Sequence, residues 1–227
     1  ALSESGVDVS LVRQLECPSG HAIIQVDQDG QNCILLYGGA NQQVTPEQID
    51  QTLAQFQPGD LLVLQNEINN LAYLMQAAAD RGMTIVLNPS PMNETILSLP
   101  LHLVSYFLLN EVEAQELCGE DKDETQYPQL LLERFPNSRI VLTLGSRGSI
   151  YQDAHCRIEQ PSYKVKAVDT TAAGDTFTGY FLASVSKGMD IAEALDKASK
   201  AAAISVSRHG ASVSIPTPAE VEAFDPS

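Results

Sequence analysis

The chain has 227 residues, 44% of them hydrophobic, which is enough to bury a substantial core as one domain and excludes a disordered or fibrous class. Its 29 acidic against 13 basic residues give a formal net charge of −16, which argues against nucleic acid as a partner because no basic surplus exists to release counterions. No long apolar run or basic leader occurs, and Cys17, Cys33, Cys118 and Cys156 are widely spaced, so the expectation is a soluble cytoplasmic protein without a membrane span, disulfide framework or zinc ribbon.

In chain order, residues 1–9 read as a helix end, a glycine stop at Gly6 and a strand over Val7-Asp8-Val9. His21-Ala22-Ile23-Ile24-Gln25-Val26 and Cys33-Ile34-Leu35-Leu36-Tyr37 flank a turn at Asp27-Gln28-Asp29-Gly30 and predict an antiparallel hairpin. Pro46 opens a helix over about residues 46–57. An alternation of strands and helices then sets in, the signal for βαβ units and a parallel sheet. Its members are a buried strand at 60–65, a helix at 69–81, strands at 83–88 and 103–109, a helix at 110–118 stopped by Gly119, a helix at 127–135 and a strand at 139–144. Gly145-Ser146-Arg147-Gly148 turns into Ser149-Ile150-Tyr151, and two helices follow at about 174–187 and 191–207. In the second of these, Ile191, Ala194, Leu195, Ala198, Ala201, Ala202 and Ser205 repeat at three and four, giving a small-residue face for packing on a sheet.

Chemistry concentrates in Val168-Asp169-Thr170-Thr171-Ala172-Ala173-Gly174-Asp175-Thr176-Phe177-Thr178-Gly179-Tyr180-Phe181. Small side chains at Ala172, Ala173 and Gly174 let a ligand approach the backbone, and the amides opening the helix would face an anion such as phosphate. Asp175 is then either a first-turn acid that favours the helix dipole or a base that takes a proton from an attacking hydroxyl. In an open α/β sheet, ligands bind beyond the carboxyl ends of the strands, which puts Asn66-Glu67, Asn88-Pro89-Ser90-Pro91, Asn110 to Glu113 and Gly145 to Gly148 near one another. Asn110 and Glu113 have the spacing of a capping box, and equally that of a pair holding a metal hydrate or a phosphate. Thr143-Leu144-Gly145-Ser146-Arg147-Gly148 can bring backbone close to a nucleotide, with Arg147 within reach of a phosphate. The absence of G-x-x-x-x-G-K-[ST] excludes a P-loop.

The stretch Asp169-Thr170-Thr171-Ala172-Ala173-Gly174-Asp175-Thr176-Phe177 resembles the D-T-x-G/A-A-G-D-x-F signature of the ribokinase-like (PfkB) family of sugar and nucleoside kinases. It carries Ala172 where many members have glycine. The likeness runs collinearly from Gly39-Ala40-Asn41 to Ile215-Pro216 and includes Asn110-x-x-Glu113 and Thr143-Leu144-Gly145-x-x-Gly148. It implies a three-layer α/β/α fold with a mostly parallel sheet, a single domain over residues 1–227, and a remnant of a small β lid at about 21–37. It also implies an ATP-dependent kinase acting on the 5-hydroxyl of a pentose such as D-ribose. Fructose, 2-keto-3-deoxygluconate or a nucleoside is the alternative acceptor, and a non-catalytic nucleotide-binding fragment is the alternative role.

The same resemblance assigns roles to residues. Asp175 would be the base, with Ala172, Ala173 and Gly174 cradling the anion. Asn110 and Glu113 would position magnesium, and Thr143, Gly145, Ser146, Arg147, Gly148 and Ser199 would hold nucleotide. Glu67 would contact sugar hydroxyls. Asp169, Thr171, Ser205, Arg208, Gly210 and Ser214 would surround a potassium ion. The family's first strand, with a substrate-binding aspartate and a G-G-x-x-N signature, is expected ahead of Ala1, as is pairing of the complete protein into a homodimer through the lid.

Overall fold

The structure is a computed structural model, and it describes residues 2–26 and 32–225. A two-stranded antiparallel ribbon, β1 (His21–Val26) and β2 (Asn32–Tyr37), precedes the main body and pairs in the register His21↔Tyr37 to Val26↔Asn32. The expected hairpin is therefore present; its turn at 27–30 lies outside the described residues. The strand expected at Val7-Asp8-Val9 does not form. A 3-10 turn at Ser3–Ser5 ends at Gly6, as anticipated, but residues 7–9 are exposed and irregular, lead into a turn closed by Val12 N donating to Val9 O, and have no strand to pair with among the described residues.

The main sheet has six strands in sequential order: β3 (Leu61–Leu64), β4 (Thr84–Leu87), β5 (Tyr106–Asn110), β6 (Arg139–Thr143), β7 (Ser149–Gln152) and β8 (Arg157–Gln160). The first four run parallel, joined through α2 (Leu71–Asp80), the short α3 (Glu94–Leu97), then α4 (Glu111–Cys118) and α5 (Tyr127–Arg134). β7 pairs antiparallel with β6 and with β8, as the short connection at Gly145 to Gly148 demands. β8 escapes a hydrophobicity reading because Arg157-Ile158-Glu159-Gln160 carries only one apolar side chain. Among the described residues β3 pairs with β4 alone, and it is not fully buried, with Val63 49% exposed. α1 (Pro46–Leu53) is shorter than its apolar pattern suggests and is capped by Thr45 Oγ1, which accepts from the Gln48 amide.

Two apolar layers hold the sheet. On one face Ile85, Leu87, Phe107, Leu109, Ile140, Leu142 and Ile150 meet α1, α2, α4 and α5. On the other, Val86, Tyr106, Leu108, Val141 and Tyr151 meet α6 (Ala173–Ser186) and α7 (Ile191–Val206). Consecutive strand residues enter opposite layers, as the pleat demands. Ala194, Leu195, Ala198, Ala201 and Ser205 of α7 are buried, so the small-residue face does seat this helix closely. A short helix, α8 (Pro218–Glu222), completes the chain with a capping box between Thr217 and Glu220. Among the described residues no helix is long and apolar enough to cross a membrane.

Candidate active site

The start of α6 is the organising feature of the site. Ala172, its N-cap residue, sits at φ 59° in the left-handed region, and no side chain caps the helix. Ala173 N donates to Thr170 O at 3.3 Å, and Thr176 N to Ala172 O at 2.9 Å. The amides of Ala172, Gly174 and Asp175 find no acceptor among the described residues, which leaves donors and the positive end of a 14-residue helix facing outward. Of the expected cradle, Ala173 is thus the member whose amide is already committed. Nothing stands within 4 Å of where a Cβ would lie on Gly174, so the backbone there is open to a ligand.

Beside this opening lies a cavity of about 530 Å³. Ala173 and Gly174 form one end; Thr143, Gly145, Ser146 and Gly148 form a second wall, and Ser199, Ala202 and Val206 of α7 the floor. A strap, 161–167, closes the remaining side with Tyr163 and Val165. Among the described residues no carboxylate lines the cavity, and Lys164 is the one charged residue that does, so it is a neutral-to-positive recess in a strongly acidic chain. Gly148 is at φ 103°, and a Cβ there would lie 2.1 Å from the carbonyl oxygen of Gln160. Only glycine lets the Thr143 to Gly148 turn pack against the strap in this way. The strap itself is fixed at two points: the Ser162 hydroxyl donates to Ser146 O, and the Tyr163 hydroxyl to Asp196 of α7. Sequence reasoning missed the strap because it has no periodic pattern and no ligand-bearing motif.

Asp175 is exposed in the first turn of α6, and its Oδ1 accepts from Gln65 Nε2 at 3.3 Å. Gln65 directly follows β3, so strand end and helix start meet as the topology requires. Glu67 is exposed on the same turn; its carbonyl accepts from Gln42 Nε2 at 3.1 Å. Asn66 is a brace: its amide donates to Ser90 O at 2.9 Å and its side chain to Pro91 O at 2.7 Å.

Asn110 and Glu113 form the reciprocal capping box: Glu113 N donates to Asn110 Oδ1 at 2.9 Å and Asn110 N to Glu113 Oε2 at 3.0 Å. Glu113 is buried, and that burial pushes its carboxyl above the usual range against the pull of the Asn110 amide. Arg147 turns away from the cavity, with its guanidinium pairing with Glu111, at 3.3 Å, and with Glu124. The spacing of the Gly145 to Gly148 turn could not reveal these carboxylates, which come from other elements.

The residues expected around a potassium ion also converge. Asp169 Oδ1 accepts from the Thr171 amide and Oδ2 from the Gly210 amide, each at 2.9 Å, which ties the loop before α6 to the loop after α7. The Thr171 side chain, the Gly210 amide and the Thr171 amide hold the Asp169 carboxyl down at about 2. Ser205 Oγ and Ser214 Oγ are 2.9 Å apart and buried. The Arg208 side chain is excluded from this group, because it pairs with Glu220 at 2.6 Å. Among the described residues no three His, Cys, Asp or Glu side chains gather as a metal cage.

A family model described as pfkB family carbohydrate kinase matches residues 1–218. A ribokinase from Staphylococcus aureus (strain COL) is 35% identical over 222 residues, covering 95% of this chain and 73% of that protein. Among solved structures, ribokinase from Cryptococcus neoformans in complex with ADP aligns with a TM-score of 0.82 at 30% identity, over 98% of this chain and 76% of that one. Arabidopsis thaliana ribokinase complexed with ribose and ATP aligns with a TM-score of 0.76 at 27% identity, over 92% of this chain and 69% of that one.

Proposed function

This chain belongs to the pfkB family of carbohydrate kinases, and from that premise we propose that it transfers the γ-phosphoryl group of ATP to the 5-hydroxyl of D-ribose. The observation that carries the reading is the start of α6, where three amides without an acceptor among the described residues sit beside an exposed carboxylate, and Gly174, one of the three, lines a cavity that has no acidic lining residue among those described. Phosphoryl transfer needs little covalent participation from the protein; it needs position and a place for the charge on the phosphoryl oxygens.

The acceptor hydroxyl loses its proton to Asp175 as its oxygen attacks the γ-phosphorus, and the bond to the β-phosphate oxygen breaks, releasing ADP. The amides of Ala172, Gly174 and Asp175 and the α6 dipole take up the charge on the phosphoryl group. The nucleotide lies in the cavity, its base toward Val165, Ser199, Ala202 and Val206 and its phosphates toward Gly145, Gly148 and Gly174. Glu67 accepts from sugar hydroxyls.

Bound with the nucleotide, magnesium would supply charge neutralisation at the phosphates. Asn110 and Glu113 would hold it, and since each is already locked on the other they suit a hydrated ion better than a bare one. Potassium would be held by oxygens of Asp169, Thr171, Ser205, Gly210 and Ser214, with Arg208 able to offer only its carbonyl. Exposed Ile23, Leu35 and Tyr37, which the register His21↔Tyr37 and Ile23↔Leu35 sets on one face of the β1–β2 ribbon, support a homodimer formed through that face.

A coupled assay of ADP release over D-ribose, D-fructose, 2-keto-3-deoxygluconate and nucleosides tests the acceptor. The expected result is the largest kcat/KM for D-ribose. Strong fructose turnover beside negligible ribose turnover would move the acceptor assignment.

A further inference from the structure

We infer that Gln65 is a positioning residue for the catalytic base, and that the turn Gln65-Asn66-Glu67 links acceptor recognition to the orientation of Asp175; this rests on the phosphotransferase reading above. The two elements concerned are far apart in sequence. Gln65 ends β3, Asp175 opens α6, and Gln65 Nε2 to Asp175 Oδ1, at 3.3 Å, is the hydrogen bond that joins them. Asp175 Oδ2 has no hydrogen-bond partner among the described residues. One oxygen of the carboxylate is thus held and the other is left to receive a proton.

An aspartate in the first turn of a helix rotates freely about its last torsion when it is exposed. General-base catalysis requires one particular oxygen to face the hydroxyl at the moment of attack, and a single side-chain donor on the opposite oxygen selects that rotamer. Gln65 can do this because its own backbone is anchored. The next residue, Asn66, donates through its amide to Ser90 O and through its side chain to Pro91 O, fixing the end of β3 to the loop after β4. One residue further on, the Glu67 carbonyl is held by Gln42, in the 3-10 turn Gly39–Gln42 that follows the ribbon. The same rigid turn therefore carries the donor that orients the base and the carboxylate that meets the acceptor. A shift of this turn moves both together, so an acceptor that seats badly on Glu67 also meets a misdirected base.

Gln65→Met keeps the length of the side chain and removes the donor; Gln65→Glu keeps the shape and sets a second carboxylate against Asp175. Gln65 is exposed, so neither change opens a cavity, and thermal melting checks that both proteins remain folded. The expected result is a fall in kcat of about tenfold for Gln65→Met and a larger one for Gln65→Glu, with KM for ATP unchanged. A purely structural role would spare both variants alike. Asp175→Asn, measured alongside, separates the two levels of the argument. If it is inactive while both Gln65 variants keep kcat within about twofold of wild type, the positioning role is overturned and the base assignment stands. A rise in sugar KM with kcat unchanged in Gln65→Met would likewise overturn it, by making Gln65 an acceptor contact. Full activity of Asp175→Asn would remove the base itself and this inference with it.

Discussion

Two aspartates, Asp169 and Asp175, flank the turn that leads into α6 and are treated in opposite ways by the fold. Asp169 spends both carboxylate oxygens on backbone amides of two loops, and its carboxyl is held down at about 2. Asp175 is exposed, with one oxygen on a glutamine and the other without a partner among the described residues. The first behaves as a brace whose hydrogen bonds are already satisfied; the second is left with capacity to act on a ligand. A loop that must hold a strained turn at Ala172 and still present a reactive group separates the two tasks between its ends.

That contrast can be broken most forcefully at Asp175. Asp175→Asn removes the base and should lower turnover by about a thousandfold, leaving the melting temperature and ATP affinity near those of wild type. A comparable loss of thermal stability would show that Asp175 is a brace as well.

Gly148→Ala probes the turn that walls the cavity. A Cβ 2.1 Å from Gln160 O at φ 103° has to displace β8 or the strap, at a cost of about 3 kcal/mol. Chemical denaturation should report that loss, and calorimetry a parallel loss of nucleotide affinity.

Asp169→Asn should contrast with Asp175→Asn: a lowered melting temperature, and a turnover recovered at raised potassium because Asp169 is one of the residues proposed to hold that ion. The sign follows from its depressed carboxyl. A group held at about 2 when folded and ordinary when unfolded contributes stability above the ordinary carboxylate range and loses it as pH falls toward 2. The gap between wild type and Asp169→Asn should therefore be full near neutral pH and close between about pH 4 and pH 2. A gap independent of pH would sink the brace.

The smallest effect belongs to Ala172→Gly. Relief of the left-handed conformation outweighs the added chain entropy of glycine by about 0.5 kcal/mol, so the melting temperature should rise slightly. A clear fall would mean that the methyl group makes a contact worth more than the strain.

Much of this was legible before the structure, and the reasons are local. The stretch from Val168 to Phe181 declares itself through small residues followed by a helical apolar period. The spacing of Asn110 and Glu113 fits a capping box and equally a pair holding a metal hydrate or a phosphate, and the capping box is present. What stayed hidden depends on partners distant in sequence or on segments without a pattern. The pairing of Arg147 with Glu111 and Glu124 and the contact of Gln65 with Asp175 join separate elements. β8 is too polar to register as a strand, and the strap at 161–167 is positioned by Ser146 and Asp196 rather than by its own composition. Val63 looked buried because its neighbours are apolar, yet it is exposed while Leu64 beside it is buried, because consecutive strand residues point to opposite faces.

The central claim, transfer of a phosphoryl group to a sugar hydroxyl at the start of α6, is tested most directly by following ³¹P resonances of the protein with ATP, magnesium and D-ribose. The account predicts that the γ-phosphate signal gives way to a phosphate monoester on the 5-position of ribose, and that Asp175→Asn abolishes this conversion while still binding ATP. Loss of γ-phosphate only to inorganic phosphate, at one rate with or without ribose, would contradict it.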